Sequence, residues 1–401
     1  MDRIVIIGAG EAGTRAAFAL REAGFTGSVT LTGTEPHLPY ERPPLSKPLN
    51  GAVQMKPICG AEALQAAGID YLQGVSALSL DPDTRSVAFS DGRTLTYDKL
   101  LLATGARPRR LTCPGAERAL DFRTYADAAT IFSSADPGKS IAIIGGGLIG
   151  MELAAVLRGK GITVSVIEMA AKPLGRAVPP RFAAKLHARH QEEGVAFHLG
   201  QGMAAITDDA VLLADGSAVP ADIVVAAIGV SADVALAEAA GIATANGILT
   251  DGFLRTSDPN IFAAGDCAAV AQPGGGYIRF ESWRNARSQA ETAVRNMVGG
   301  KEAFGAIPWF WTDQYDLGLQ VAGLPQPEYQ SVIRQLDGGE LEFYLDDGRL
   351  LAAAGLGSCN SVARDIKLAE MLIAAGINPD PAALADPGVN LKALLKNARA
   401  A

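Results

Sequence analysis

The chain has 401 residues, 48% of them hydrophobic and 19% charged, enough for two or three packed domains and unlike a disordered protein. Lys and Arg number 35 against 43 Asp and Glu, a formal net charge of −8 with no long basic run. Nucleic acid is therefore not expected as a partner, although a local basic patch for a small acidic protein stays open. No uncharged apolar run reaches the roughly 18 residues of a membrane span, and Met1 to Ile7 lead straight into a nucleotide motif, so neither a membrane segment nor a signal peptide is expected and the location should be cytoplasmic.

In chain order, Ile4 to Ile7 is a β-branched run suited to a parallel strand buried on both faces. Gly8-Ala9-Gly10-Glu11-Ala12-Gly13 follows, then a helical stretch from Thr14 to Ala23 and a second strand at Val29 to Leu31. Glu35 stands just after that strand, 22 residues beyond Gly13. This is a full dinucleotide fingerprint. Gly8 makes the tight turn, Gly10 lets the backbone approach a pyrophosphate, Gly13 allows close packing of helix on strand, and Glu35 can accept from ribose hydroxyls.

The pattern recurs. Ile141 to Ile144 is a strand, Gly145-Gly146-Gly147-Leu148-Ile149-Gly150 the turn, Met151 to Lys160 a helix and Thr163 to Ile167 the next strand. Glu168 ends it, 18 residues after Gly150. Two fingerprints 137 residues apart read as a domain duplication, not a solenoid. Two sites suggest two nucleotides: a tightly held flavin and a nicotinamide that comes and goes. Hydride transfer is short-ranged, so their rings are expected to meet between the two domains. The four cysteines, Cys59, Cys113, Cys267 and Cys359, all lie more than three residues apart, so neither a C-x-x-C redox pair nor a zinc-type pair is expected.

With these fingerprints the chain resembles the two-dinucleotide flavoprotein reductases. Five further segments, of which the first and the last narrow the match, liken it to the FAD-dependent ferredoxin reductases of bacterial oxygenase systems. They are Leu38-Pro39-Tyr40-Glu41-Arg42-Pro43-Pro44-Leu45-Ser46-Lys47, Leu101-Leu102-Ala103-Thr104-Gly105-Ala106, Leu120-Asp121-Phe122-Arg123-Thr124, Ile261-Phe262-Ala263-Ala264-Gly265-Asp266 and Trp309-Phe310-Trp311-Thr312-Asp313-Gln314-Tyr315-Asp316. The resemblance implies an α/β fold with two Rossmann-like dinucleotide-binding domains, for FAD and NAD, and a C-terminal α+β domain. Residues 1–110 and 240–306 would form a split FAD domain, 111–239 the NAD domain and 307–401 the C-terminal domain.

The resemblance also implies roles. FAD would be held by Gly8, Gly10, Ala12, Gly13, Glu35, Arg42, Lys47, Val75, Ala103, Thr104, Gly105, Arg123, Gly265, Asp266, Trp283 and Trp311. NAD(H) would be held by Gly145, Gly147, Ile149, Gly150, Glu152, Glu168 and Gly229. Arg42 and Arg123 suit phosphate because a guanidinium bonds it bidentately. Lys47 would stabilise negative charge developing on the reduced flavin, with Glu152 holding it in place. From the residues alone, Lys47 reads as a solvated surface charge and Glu152 as a partner of the helix dipole, and core packing is the plain alternative for either tryptophan. Two departures stand out. The run usual in the family after the central glycine, valine–x–proline–asparagine, is here Gly229-Val230-Ser231-Ala232-Asp233, and Trp283 replaces the smaller residue of some relatives.

The implied partner is a small acidic iron–sulfur ferredoxin feeding an oxygenase. Arg284 and Arg287 are candidates for docking it, with Arg109 and Arg110 as weaker ones, and a solvated helix face is the plain alternative. A rubredoxin reductase stays open. A redox-sensing flavoprotein like the apoptosis-inducing flavoproteins is disfavoured by the absence of a basic bias. A disulfide or thiol reductase would need a cysteine beside the flavin, where this chain has Ser46.

Overall fold

The computed structural model describes residues 1–48, 52–358 and 360–400. The β-branched run at the N-terminus forms the strand Arg3–Ile7, with Ile4, Val5, Ile6 and Ile7 all buried. It is the centre of a five-stranded parallel sheet in the order 261–263, 99–102, 3–7, 28–33, 69–73. A central strand has no solvated face, which is why its sequence is continuously apolar. The helices Glu11–Glu22 and Trp283–Met297 pack together on one side, burying Ala16, Leu20, Ala290, Val294 and Met297. These elements lie in the first of two compact units, residues 1–45, 54–107 and 230–306.

The second unit comprises Ser46–Val53, Pro108–Gly229 and Ile307–Ala401. Its parallel sheet runs 119–121, 223–226, 140–144, 163–168, 196–199. The strand that leads into the glycine turn again sits at the centre, and the strand that leads to the acidic residue is again its neighbour. Each unit also carries a three-stranded antiparallel sheet, built from 77–81, 86–89 and 94–96 in the first and from 203–206, 210–213 and 218–220 in the second. The 137-residue repeat is thus a duplication of a whole α/β architecture.

Residues after 307 add a five-stranded antiparallel sheet in the order 309–314, 317–323, 349–358, 339–346, 330–336. Its strands alternate between two apolar faces. Leu341, Phe343 and Ala353 point to the helix Ala363–Ala374, while Leu319, Val321, Ala352 and Ala354 pack on Met151, Phe182 and Leu186 from the 108–229 segment of the same unit. The sheet is therefore covered on both sides, as the α+β expectation requires.

Both fingerprint helices begin earlier than the sequence pattern places them, at Glu11 and Leu148. The cause is in their N-caps. Gly10 and Gly147 let the chain turn into the helix directly, and neither supplies a side chain to the first-turn N–H groups. Those donors remain available to an anion.

Candidate functional site

In the first unit the three fingerprint glycines meet different surroundings. At Gly8, with φ +109, a Cβ would lie 2.1 Å from the Ala103 carbonyl, and at Gly13 it would lie 1.8 Å from the Gly8 carbonyl. At Gly10 it would meet nothing within 4 Å. Two glycines are thus required by packing, and the third faces open space over the helix N-terminus. Gly265, with φ +85, closes on the same helix, since its Cβ would come within 3.0 Å of the Ala12 side chain. Its N–H donates to Gln289 Oε1 (2.8 Å), and Arg279 donates to the Asp266 carbonyl (3.0 Å), which fixes the Gly265-Asp266 turn.

Glu35 follows the strand Ser28–Gly33. The Tyr40 hydroxyl donates to its Oε2 (2.5 Å) and Arg42 Nη2 to its Oε1 (2.8 Å), so Glu35 and Arg42 come together as an ion pair. Val75 is tied to the same strand: its N–H donates to Gly33 O, and its carbonyl accepts from Thr32. The Ala103-Thr104-Gly105 connector is fixed by Thr104 Oγ1 donating to Asp233 O (2.6 Å) and the Asp233 N–H donating to Gly105 O (2.9 Å). Trp283 opens its helix, with the Arg287 guanidinium 5.8 Å over its ring. Glu11, opposite them on the first helix, is a residue the sequence reading passed over. Burial raises its carboxyl pKa, with Arg287 and a hydrogen bond to Trp283 opposing.

The second unit repeats the cradle. A Cβ at Gly145 (φ +106) would lie 2.5 Å from the Ala227 carbonyl and one at Gly150 2.1 Å from Gly145 O, while Gly147 faces nothing within 4 Å. Ile149, in the same glycine fingerprint, is 46% exposed. Glu168 is held on both oxygens, by the Gly146 N–H (2.7 Å) and the Ala170 N–H (2.8 Å). Gly229, with φ +90, accepts from the Arg109 N–H. Arg123 also lies in this unit, its N–H bonded to Asp127 beside the capping box that starts the helix Tyr125–Ser134.

The same unit gathers Lys47, Glu152 and Trp311. Lys47 Nζ donates to Asp313 Oδ2 (2.6 Å), lies 4.0 Å from Glu152 Oε1 and sits 5.4 Å above the Trp311 ring. Trp311 in turn stacks on Trp309 with centroids 5.2 Å apart. Glu152 is buried and accepts from Ser46 Oγ (2.6 Å) and Thr312 Oγ1 (2.7 Å). Burial pushes its pKa up, and Lys47, Ser46 and Thr312 act against that. Ser46, Thr312 and Asp313 were not singled out from the sequence. Their signal was nevertheless present, because they occupy the two segments that narrowed the resemblance.

Residues 2–290 match the pyridine nucleotide-disulphide oxidoreductase model, and residues 309–395 match the reductase C-terminal model. The chain belongs to the pyridine nucleotide-disulphide oxidoreductase family. It is 40% identical to the anthranilate 1,2-dioxygenase system ferredoxin–NAD(+) reductase component of Burkholderia cepacia, over 98% of this chain and 99% of the relative. It is 37% identical to the corresponding component of the p-cumate 2,3-dioxygenase system of Pseudomonas putida, over 98% of both. It superposes with a TM-score of 0.93, at 33% identity, on a chain of the covalent putidaredoxin reductase–putidaredoxin complex, covering all of this chain and 99% of the other.

This oxidoreductase therefore works with FAD and NAD(H). The two glycine cradles, each walled by backbone on two sides and open on the third, fit two dinucleotides. Among the described residues Cys59, Cys113 and Cys267 are all free. Cys267 is buried, pointing at the Leu102 and Ala264 carbonyls, and burial raises the pKa of both Cys59 and Cys267, disfavouring the reactive thiolate. Cys359 lies outside the described residues. Among these residues no helix is long and apolar enough to cross a membrane.

Proposed function

We propose that this chain is the NADH-dependent reductase that supplies electrons to a small acidic iron–sulfur ferredoxin of an oxygenase system, in the cytoplasm. The observation that carries the reading is the flavin-side segment, where Ser46 and Lys47 are bonded to Glu152 and Asp313 and the chain has no cysteine to form a disulfide centre. Full-length likeness to reductase components of two dioxygenase systems supports it.

In this reading residues 1–110 and 240–306 hold FAD and 111–239 hold NAD(H). Gly8, Gly10, Gly13 and the first-turn N–H groups take the FAD pyrophosphate, with Arg42 and Arg123 adding charge. Glu35 accepts from the adenosine ribose, Asp266 from the ribityl chain, and Val75, Ala103, Thr104, Gly105, Trp283 and Trp311 line the remainder. Gly145, Gly147, Ile149, Gly150, Glu168 and Gly229 receive NAD(H). Bound FAD would accept two electrons from NADH and release them one at a time. Lys47 offers its ammonium to the negative charge that then develops, and Glu152 and Asp313 hold Lys47 in position. The test is to reduce the purified flavoprotein with NADH and offer it ferredoxins and rubredoxin. Efficient turnover with a two-iron ferredoxin is expected; turnover with rubredoxin alone would reassign the acceptor.

A further inference from the structure

One buried group lies outside the function proposed above. His190, on the helix Pro180–Glu192, is fully buried and hydrogen-bonded through Nε2 to Gln314 Oε1 (2.9 Å). Gln314 Nε2 donates to Thr312 Oγ1 (3.1 Å), and Thr312 donates to Glu152 Oε1 (2.7 Å). Gln314 and Thr312 are adjacent on the inward face of the strand Trp309–Gln314, and both are fully buried. On its other side His190 Nδ1 lies 3.3 Å from the Tyr315 hydroxyl. Tyr315 has φ +56, a left-handed conformation more usual for glycine, in the two-residue turn before the next strand. Its ring is pinned edge-on to His190 at 4.9 Å and lies under the Arg189 guanidinium at 5.0 Å.

The direction of every bond follows from its end. With Glu152 ionised its oxygens only accept, so Thr312 gives its one proton to it. The Thr312 lone pair then takes the Gln314 N–H, the Gln314 oxygen takes an Nε2–H from His190, and neutral His190 takes the Tyr315 proton at Nδ1. Four donors point the same way, from the turn at Tyr315 to the carboxylate. Such head-to-tail chains polarise one another. A protonated Glu152 no longer imposes this sense; the chain reverses only if the Gln314 amide also turns over, and His190 would then carry its proton on Nδ1.

We propose that His190 is a positioning residue for Lys47: its Nε2–H tautomer, acting through Gln314 and Thr312, fixes a hydroxyl donor on Glu152 and keeps that buried carboxylate ionised beside the lysine. Its consequence for electron transfer rests on the reading of Lys47 and Glu152 given above. The groups facing Glu152 are Lys47, Ser46, Thr312 and Asp313; those facing His190 are Gln314, Tyr315, His187, Arg189 and Glu193.

Two readouts on the holoprotein test it. In nitrogen-15 spectra of histidine-labelled protein, the ring that stays neutral down to about pH 4 should show the Nε2–H tautomer at neutral pH; an Nδ1–H tautomer there overturns the proposal. The second readout is an infrared titration of the Glu152 carboxyl, its band assigned by loss in Glu152→Gln. Thr312→Val removes a hydrogen bond to a charged group and should raise the midpoint by about one to two pH units, with Thr312→Ser restoring it. His190→Phe, or Gln314→Met if the histidine variant does not fold, should raise it by a smaller amount. Combined with Thr312→Val, either change should add nothing further, because both act through Thr312. No shift in His190→Phe and Gln314→Met, or fully additive shifts, would overturn it. The apparent pKa of flavin reduction by NADH should move with the infrared midpoint. Infrared shifts without any change in the rate profile would support the chain from His190 to Glu152 and refute the placement of Glu152 at the flavin.

Discussion

In the proposed NAD(H) site, Glu168 would be the side chain that sets nucleotide choice. Both of its oxygens accept backbone N–H groups, from Gly146 and Ala170, so the carboxylate cannot swing aside to admit a 2′-phosphate. Like charges in contact cost several kcal/mol, and each 1.4 kcal/mol is tenfold in affinity, so NADH should be preferred about tenfold or more. In Glu168→Ala the freed N–H groups and nearby Lys172 and Arg176 should raise kcat/KM for NADPH; equal values for both nucleotides in the wild type would show the residue to be misassigned. His190 makes a second residue-scale prediction. Burial lowers its pKa from 6.5 to about 4, so between these values the unfolded chain binds the extra proton. Its contribution, up to about 3 kcal/mol, is complete above pH 6.5 and is lost as the pH falls toward 4. His190→Gln should blunt the loss of stability between pH 6.5 and 4, measured by urea unfolding monitored on the second unit.

At the scale of elements, the strands and fingerprint helices were readable because each is specified locally, by an apolar run and by glycines at fixed offsets. The cradle was readable for the same reason. What joins elements distant in sequence was not. The strand Trp309–Gln314 alternates Trp309, Trp311 and Asp313 with Phe310, Thr312 and Gln314, but nothing in that alternation tells which helix supplies Glu152 or His190. The ion pairs of Glu340 are a second case. This residue of the strand Gly339–Asp346 is 3% exposed and meets Arg181 (2.7 Å) and Lys185 (2.5 Å) from the helix Pro180–Glu192. Burial pushes its carboxyl up, but Arg181, Lys185 and Gln335 together bring it down to about 2. Its stabilisation is therefore present above pH 4.5 and lost as the pH falls toward 2. Glu340→Ala should cost about 2 to 3 kcal/mol, since Arg181 and Lys185 can return to water. Faster hydrogen exchange in the strand 339–346 would register that cost, and unchanged exchange would show the contact to be idle.

For the whole molecule, whose net charge is −8, the acidic ferredoxin proposed above would have to be attracted locally while being repelled at long range. The helix Trp283–Met297 presents Arg284 and Arg287, the latter also paired with Glu291 at 3.7 Å, so the attraction is expected to be modest. Salt screens the long-range repulsion as well as the patch, the Debye length being about 3 Å at 1 M, so kcat/KM for ferredoxin should depend on ionic strength, and Arg284→Glu should lower it most at low salt, where the patch is least screened. Salt-insensitive reduction would remove support for the patch.

The family name carries the word disulphide, and whether this chain uses one is decided by all its cysteines together. Electron flow without a thiol relay requires that none of Cys59, Cys113, Cys267 and Cys359 be needed. Cys59 and Cys113 are half-buried, and Cys267 is buried against carbonyl oxygens, a site where a serine hydroxyl can donate in place of the thiol. Replacing the other three with Ala and Cys267 with Ser should therefore leave NADH-driven ferredoxin reduction largely intact. The expected price is in stability, about 1 kcal/mol for the buried position, read from the thermal midpoint. The decisive comparison is between the single variants and the fourfold one. If activity collapsed in the fourfold variant while FAD stayed bound, and one single variant reproduced the collapse, that cysteine would be an electron carrier and the chain would belong with the thiol-linked reductases. If activity held while stability alone fell, the electrons leave the flavin for the ferredoxin without a thiol between them.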